Sequence, residues 1–314
     1  MNDDWHSRVL PPAERSHTGV TVDKKETADR NTPGRRPMVV AVCAFRLENV
    51  RRHLRHNLDQ LNGDEYVVLL DRPVTPEAEK VATQVNEAGG TMRILGATRG
   101  LSASRNTVLR EWADRHVLFV DDDVRLEASA VDAVRAAFRA GAHVVGARLR
   151  PPRELRRLPW FLSSGQFHLV GWHRDRGDIK IWGACMGVDA DFARRQGLTF
   201  DLDLSRTGGN LQSGEDTSFI ALMKEAGARE CLLPEHAVVH DVDPGRLTLR
   251  YLLRRAYWQG RSEARRHQSV AGLRKELTRH RTAPESRCTP LLFCVYGAAT
   301  AIGVGHGLLL RLRK

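Results

Sequence analysis

The sequence "RHVLFVDDDV", residues 115–124, joins a short apolar run to three consecutive acidic residues. The run from Val117 to Val120 predicts a buried strand, and Asp121, Asp122 and Asp123 follow at its end. Like charges that lie close together repel one another, and burying them without partners is costly. We therefore expect a positive group beside these aspartates.

Short apolar runs alternate with helical periods on both sides of this stretch. Strands are predicted at residues 38–45, 65–70, 91–96, 116–120 and 142–149. Helices are predicted at residues 47–61, 76–88, 101–115 and 127–140. Strands that alternate with helices of this length are typical of βαβ units and a mainly parallel sheet, so the predicted fold class is α/β.

Ligands of open parallel sheets bind at the carboxyl ends of the strands. Acidic residues follow two of the predicted strands at that edge, namely Asp71 and the group 121–123. The sequence has no GxGxxG turn after the first strand and no GxxxxGK[ST] loop, so two common phosphate-binding sites are excluded. Asp121 and Asp123, two residues apart, can instead aim their oxygens at one divalent cation that also binds phosphates. Asp122 is the weaker ligand because neighbouring side chains of a strand point to opposite faces.

The composition indicates which kinds of partner the protein binds and whether its cellular compartment is reducing. The formal net charge is +11 and the isoelectric point is near 9.9, which favours nucleic acid, nucleotide-sugar phosphates or an anionic membrane as partners. Five scattered cysteines without CxxC spacing argue against a disulfide framework or a zinc ribbon and indicate a reducing compartment. Residues 1–37 are polar, contain no apolar targeting segment, and predict a disordered or loosely attached arm.

Three longer stretches follow one another in a specific order. They are "RGLSASRNTVLREWADRHVLFVDDDV" (99–124), "WGACMGVDADFARRQGL" (182–198) and "GEDTSFIALMKEAGARECLLPEHAVVHD" (214–241). In this order the chain resembles family 2 glycosyltransferases of the GT-A fold, which carry a DxD motif after a buried strand. The resemblance implies a Rossmann-like, mostly parallel sheet flanked by helices over residues 38–268. Residues 38–125 would form the nucleotide-sugar half and residues 126–268 the acceptor half, followed by a C-terminal helical extension at 269–314.

The resemblance also implies a donor site. Asp121 and Asp123 would hold Mg²⁺ or Mn²⁺ on the phosphates of a nucleotide-diphosphate sugar, with Asp122 beside them. Arg105 and Asn106 would lie near the donor. Asp71 matches the acidic residue that contacts the nucleoside, although this chain has "DRPV" there and not the usual "DDGS".

His240 ends the short predicted strand "EHAVVH". A single histidine after a strand is compatible with a purely structural role. By resemblance it occupies the position of a third metal ligand, and neutral imidazole completes a site with two carboxylates, particularly for Mn²⁺. His236 and Asp241 are substitutes for this role.

Glu215 and Asp216 begin a predicted helix whose apolar period packs it in the core. Acidic residues in a first turn interact favourably with the helix dipole, which is the simple structural explanation. Inverting sugar transfer also needs a carboxylate that deprotonates the acceptor hydroxyl. The resemblance assigns this role to Asp216, with Glu215 orienting the acceptor or, alternatively, acting as the base.

The segment "RLTLRYLLRRAYWQGRSEARRH" is a basic amphipathic helix, residues 246–267. Arg255 and Gln259, together with Arg254 and Arg261, are candidates for contacts to a diphosphate. Basic residues among aromatics also suit nucleic acid, but no nucleic-acid-binding motif is present and we expect none to bind. The predicted function is inverting, metal-dependent glycosyl transfer; the alternatives are a GT-A nucleotidyltransferase and a non-catalytic nucleic-acid or anionic-lipid binding protein on the same scaffold.

Residues 290–310 form 21 positions without a formal charge, followed by Arg311, Arg313 and Lys314. This length suits a membrane-associated or membrane-spanning segment, while its four glycines equally suit a terminal helix packed on the domain. Basic residues on both sides favour a cytoplasmic catalytic domain, peripheral to or anchored at the membrane. The expected acceptor is then lipid-linked or a polysaccharide precursor, although its identity cannot be read from the sequence.

Overall fold

The computed structural model describes residues 38–155, 157–162, 166–174, 179–207, 210–266 and 290–312. The predicted arm at 1–37 and the first part of the predicted C-terminal extension, residues 269–289, lie outside the described residues. The strands are β1 Val39–Ala44, β2 Glu65–Leu70, β3 Thr91–Ile94, β4 His116–Asp121, β5 Val124–Arg125, β6 Val144–Arg150, β7 Cys185–Asp189 and β8 Glu230–His240. The helices are α1 Leu47–Asp59, α2 Pro76–Glu87, α3 Leu101–Glu111, α4 Ala128–Arg139, α5 Phe167–Val170, α6 Ala190–Arg195, α7 Glu215–Glu225, α8 Leu249–Arg266 and α9 Pro290–Leu312.

The described strands form one eight-stranded sheet in the order β3-β2-β1-β4-β7-β6-β8-β5. Strands β1 to β4 pair in parallel, as predicted for βαβ units, and β6 pairs in parallel with β8. Strand β7 runs antiparallel to both β4 and β6, and β5 is antiparallel to β8. The sheet is therefore α/β in class but mixed, because β7 inserts between the two parallel groups.

Helices cover both faces of the sheet, as the alternation within β1 shows. Val40 and Val42 belong to the core beneath α1, α2 and α4, whereas Val39 and Ala41 belong to the core beneath α3, α6 and α7. All six residues of β1 are buried. A strand buried on both faces explains why its sequence is a continuous apolar run and not an alternating one.

A third, smaller core joins the C-terminal helices to the segment that follows β6. It contains Phe167, Trp172, Leu252 and Tyr296, so it links α5, α8 and α9. Helix α9 packs tightly on α8, since a Cβ atom at Gly303 would collide with the carbonyl oxygen of Tyr257. This packing matches the expectation of a terminal helix on the domain. Within the described residues, no helix combines the length and apolar character needed to cross a membrane.

Candidate active site

The acidic turn after β4 directs its three carboxylates in different directions. The Asp122 carboxylate accepts hydrogen bonds from the backbone N–H groups of Phe45 and Arg46, both at 2.8 Å, and from Asn49 at 2.9 Å. Its oxygens are thus engaged with the loop between β1 and α1. Asp121 and Asp123 point elsewhere, toward His240. The structure gives Asp122 a position that holds this loop, and its contact with the donor stays a prediction.

Asp121, Asp123 and His240 lie together at the carboxyl edge of the sheet. Ligand atoms of the three residues lie within 4.8 Å of one another. His240 reaches this point because β8 pairs with β5, the strand that directly follows the acidic turn. The structure therefore brings together the three residues that were predicted to bind a metal.

The surroundings of His240 suit a metal ligand. Its Nδ1 contacts the carbonyl oxygen of Gly171 at 2.9 Å, and its Nε2 lies 3.1 Å from Asp123 Oδ1. A backbone carbonyl on Nδ1 favours the tautomer that leaves Nε2 available as a ligand. Gly171 has a φ of +80°, and a Cβ atom there would contact the imidazole at 2.6 Å. Only glycine fits this position. The donor set of two carboxylates and one imidazole fits Mg²⁺ or Mn²⁺.

Charge and burial shift the pKa values of this cluster. Burial alone would lower the pKa of His240, but the adjacent Asp123 carboxylate raises it overall. Burial opposes ionisation of Asp123 as well, yet His240 and the guanidinium of Arg246 lower the pKa of Asp123 well below its usual range. Arg246 Nη1 lies 3.1 Å from Asp123 Oδ2. Sequence analysis missed Arg246; the "DPGR" turn that begins three residues after His240 was the available signal.

Arg105 connects this cluster to the start of α7. It is 1% exposed, and its guanidinium donates to Glu215 Oε1 at 2.9 Å and contacts Asp121 Oδ1 at 3.4 Å. The close approach requires Gly183, because a Cβ atom there would collide with the Arg105 guanidinium. Arg105 thus lies at the predicted site, beside a metal-cluster residue.

Glu215 and Asp216 differ in their surroundings. Glu215 is buried, and burial together with the charge of Asp216 raises the pKa of Glu215 to about 7, although Arg105 lowers it. Asp216 is partly exposed; it accepts a hydrogen bond from the Gly183 N–H at 2.8 Å and one from the Thr217 N–H at 2.7 Å. Asp216 therefore has a fixed carboxylate that solvent can reach, whereas the carboxylate of Glu215 is buried and bonded to Arg105.

Asp71 and Asn106 bind backbone groups. The Asp71 carboxylate accepts hydrogen bonds from the N–H groups of Arg99 and Gly100, both at 2.8 Å, at the start of α3. The Asn106 amide donates to the carbonyl of Phe200 at 2.9 Å and accepts from its N–H at 2.7 Å. Asn106 therefore fixes the chain after α6, and its place near the donor stays a prediction. The nucleoside contact of Asp71 stays a prediction.

A cleft of about 440 Å³ opens beside the metal cluster. Among its lining residues are Asp121, His240, Asp216, Arg246, Arg255 and Gln259. Burial, reinforced by the neighbouring Arg206 cation, lowers the pKa of Arg255, and its buried Nη1 atom has no hydrogen-bond partner among the described residues. A buried guanidinium nitrogen that lacks an acceptor favours an anionic ligand in this cleft. Gln259, which was also predicted to contact a diphosphate, lines the cleft and donates from its Nε2 atom to Glu263 at 2.6 Å.

Comparison with known proteins identifies the family. The profile described as Glycosyl transferase family 2 matches residues 38–199, about half of the chain. The chain belongs to glycosyl transferase family 2. The match includes the acidic turn and Arg105 and ends before α7. This glycosyltransferase is also 25% identical over 240 residues to the succinoglycan biosynthesis protein ExoM of Rhizobium meliloti, covering 72% of this chain and 74% of ExoM.

Solved structures show that this family 2 glycosyltransferase has the GT-A fold. The mannosyltransferase PcManGT from Pyrobaculum calidifontis, in complex with GDP-Man and Mn²⁺, superposes with a TM-score of 0.53 at 16% identity, covering 89% of this chain and 81% of that one. S. aureus TarS 1-349 in complex with UDP gives a TM-score of 0.50 at 15% identity, covering 89% and 92%. The chain spans 44% of a longer S. aureus TarS chain. At these identities the likeness concerns the fold alone.

Proposed function

We propose that this glycosyltransferase moves a sugar from a nucleotide-diphosphate donor to an acceptor hydroxyl with inversion at the anomeric carbon. The observation that carries the proposal is the juxtaposition, through Arg105, of the Asp121–Asp123–His240 cluster with the acidic start of α7. Inverting transfer needs a site for the departing diphosphate and a base for the acceptor, and these two groups supply them.

Asp121, Asp123 and His240 would hold Mg²⁺ or Mn²⁺. When bound, such a cation neutralises charge that develops on the leaving diphosphate. Arg246 and Arg255 line the same cleft and add fixed positive charge for the diphosphate. The unpartnered Nη1 of Arg255 supports this role, since a buried donor without an acceptor is costly until an anion arrives.

Asp216 is the proposed general base. The hydrogen bonds from Gly183 and Thr217 hold its carboxylate in place, and its partial exposure lets an acceptor hydroxyl approach. In the reaction it accepts the hydroxyl proton as the oxygen attacks the anomeric carbon. Glu215 is less suited because its Oε1 accepts from Arg105 and its side chain is buried. Glu215 instead positions Arg105.

A donor screen that measures release of nucleotide diphosphate in the presence of Mn²⁺ tests the proposal. We expect at least one nucleotide-sugar to be turned over, and Asp216→Asn to lower turnover at least ~10²-fold without weakening donor binding. Glu225→Gln, at the exposed end of the same helix, is the matched control and should behave as the wild type. Near-normal turnover by Asp216→Asn would reassign the base to Glu215.

The proposal also includes the kind of acceptor and the cellular compartment in which the enzyme works. ExoM is described as a succinoglycan biosynthesis protein, which supports a saccharide acceptor of polysaccharide synthesis for this chain as well. We expect that acceptor to be lipid-linked. A cytoplasmic location stays a prediction, consistent with free thiols at Cys43, Cys185 and Cys231.

A further inference from the structure

Helix α9 carries an apolar stripe on the side away from α8. Val295, Ile302 and Leu309 are exposed large apolar residues, and Ile302 is 66% exposed. They are spaced seven residues apart and therefore lie almost above one another on the helix. The exposed residues Ala298 and Gly305 fill the gaps between them. The stripe runs along the described side chains of the helix without a charged residue.

A second apolar patch adjoins the N-terminal part of this stripe. Trp160 is 75% exposed and Leu158 is 37% exposed, in the segment after β6. The Tyr296 hydroxyl of α9 donates to the carbonyl of Phe161 at 3.1 Å, which fixes this segment to the helix. The docking surface is defined here as Leu158, Trp160, Val295, Ile302 and Leu309.

Basic residues flank Trp160 and, in the sequence, follow the end of α9. Arg153 and Arg157 are exposed in the segment that carries Trp160. The acidic Glu154 between the two arginines pairs with Arg125 at 3.2 Å. Residues 286–314 contain no aspartate or glutamate and end with Arg311, Arg313 and Lys314. Tryptophan beside arginine, next to an apolar helix face, is the composition that binds at the headgroup level of anionic membranes.

We propose that the docking surface binds an anionic lipid bilayer, with α9 lying in the plane of the headgroups. Its opposite side is occupied by α8, through Gly303 and Gly307, so one face of α9 is available to lipid. A second copy of the chain is the less favourable occupant. In a symmetric dimer each patch meets its own copy, so the arginines around one surface would face those around the other.

One small buried core lies between α9 and the wall of the catalytic cleft. Phe167 and Trp172 line the cleft and pack in the same small core as Phe161, Tyr296 and α8. A bilayer bound to the docking surface would present a lipid-linked acceptor to the enzyme. This last step rests on the proposed glycosyl transfer, whereas binding to lipid does not.

Sedimentation of the full chain with vesicles tests the inference. We expect binding to mixed phosphatidylglycerol–phosphatidylcholine vesicles and little binding to pure phosphatidylcholine. Ile302→Glu and Trp160→Glu should each weaken binding at least about tenfold by placing a charge on the apolar surface. The double variant Arg153→Gln/Arg157→Gln should weaken it by about fivefold per arginine. Val74→Glu is the matched control, because Val74 is 56% exposed in the loop before α2.

The outcomes separate the possible occupants. Loss of vesicle binding in the two glutamate variants, with Val74→Glu unaffected, supports the docking surface. A wild-type chain that ignores anionic vesicles overturns it, as does binding that both glutamate variants retain. A wild-type dimer that Ile302→Glu converts to a monomer, without vesicle binding, would assign the surface to a second copy. Donor hydrolysis measured without vesicles reports on the proposed function separately, since no variant alters a cleft residue.

Discussion

Arg105 and Glu215 form a buried ion pair with a separation of 2.9 Å between Nη1 and Oε1. The two residues lie on α3 and α7, and they are 110 positions apart in the chain. The same guanidinium also contacts Asp121, so one side chain joins β4, which ends in the proposed metal ligand, to the helix that carries the proposed base. Removing one partner of such a pair leaves an uncompensated buried charge.

Arg105→Leu should therefore lower the free energy of unfolding by about 3–5 kcal/mol, because Glu215 loses its partner inside the protein. Urea denaturation followed by circular dichroism measures the change. The double variant Arg105→Leu/Glu215→Leu should recover a large part of the loss, since neither charge then remains. Additive effects of the two single substitutions would contradict the coupling.

Asp123→Asn and Asp122→Asn should have opposite consequences for metal binding. We expect Asp123→Asn to weaken Mn²⁺ binding at least about tenfold in calorimetry with the ion alone, because one proposed ligand is lost. Asp122→Asn should keep the Mn²⁺ affinity but lower stability by about 1–3 kcal/mol, since an amide nitrogen would replace one of the two oxygens that accept from the Phe45 and Arg46 N–H groups and from Asn49. Equal loss of affinity in both variants would refute the assignment of roles within the acidic turn.

Stability should depend on pH through Glu215. Burial and Asp216 raise its pKa from 4.5 to about 7 in the folded protein, against the effect of Arg105. Between these two values the folded protein keeps a proton that the unfolded chain has released, so the free energy of unfolding falls as pH rises. Relative to Glu215→Gln, the wild type should lose about 2–3 kcal/mol between ~pH 5 and ~pH 8. Urea midpoints that change in parallel for both proteins would exclude this titration.

Gly303→Ala and Gly305→Ala compare two glycines of the same helix. A Cβ atom at Gly303 would collide with the Tyr257 carbonyl, whereas nothing lies within 4 Å of one at Gly305. We expect Gly303→Ala to destabilise the contact of α8 with α9 and to increase hydrogen exchange in both helices. Gly305→Ala should stabilise α9 by up to about 1 kcal/mol, as alanine usually does in a helix. Similar exchange rates in the two variants would show that α9 is not packed at Gly303.

The two aspartates of the proposed metal site were predictable from the sequence because their signal is local, whereas His240 was assigned by resemblance to the family. Asp121 and Asp123 follow an apolar strand at a spacing of two, and His240 ends another short strand. The roles of Asp122 and Asn106 were not predictable, because each binds backbone groups of residues more than 70 positions away. Nothing in the local pattern of an aspartate or an asparagine reports such a partner.

In the sheet, too, the features set by local sequence were predictable and those set by long-range pairing were not. Alternating strands and helices predicted the parallel group β1 to β4 and, with it, the α/β class. The antiparallel insertion of β7 depends on long-range pairing with β4 and β6, which periodicity does not encode. Arg246 was missed for a related reason, since a lone arginine in a turn acquires meaning only when the turn is seen to lie against Asp123.

His240 follows Asp123 by 117 residues, although their side chains lie in contact. The ribosome synthesises the chain from its N-terminal end. The two aspartates therefore emerge long before the imidazole that lies beside them in the folded protein. A chain interrupted before β8 would carry the acidic turn without its third ligand. Completion of the proposed metal site is thus tied to translation through residue 240, so a truncated product should bind the proposed cation more weakly than the full chain.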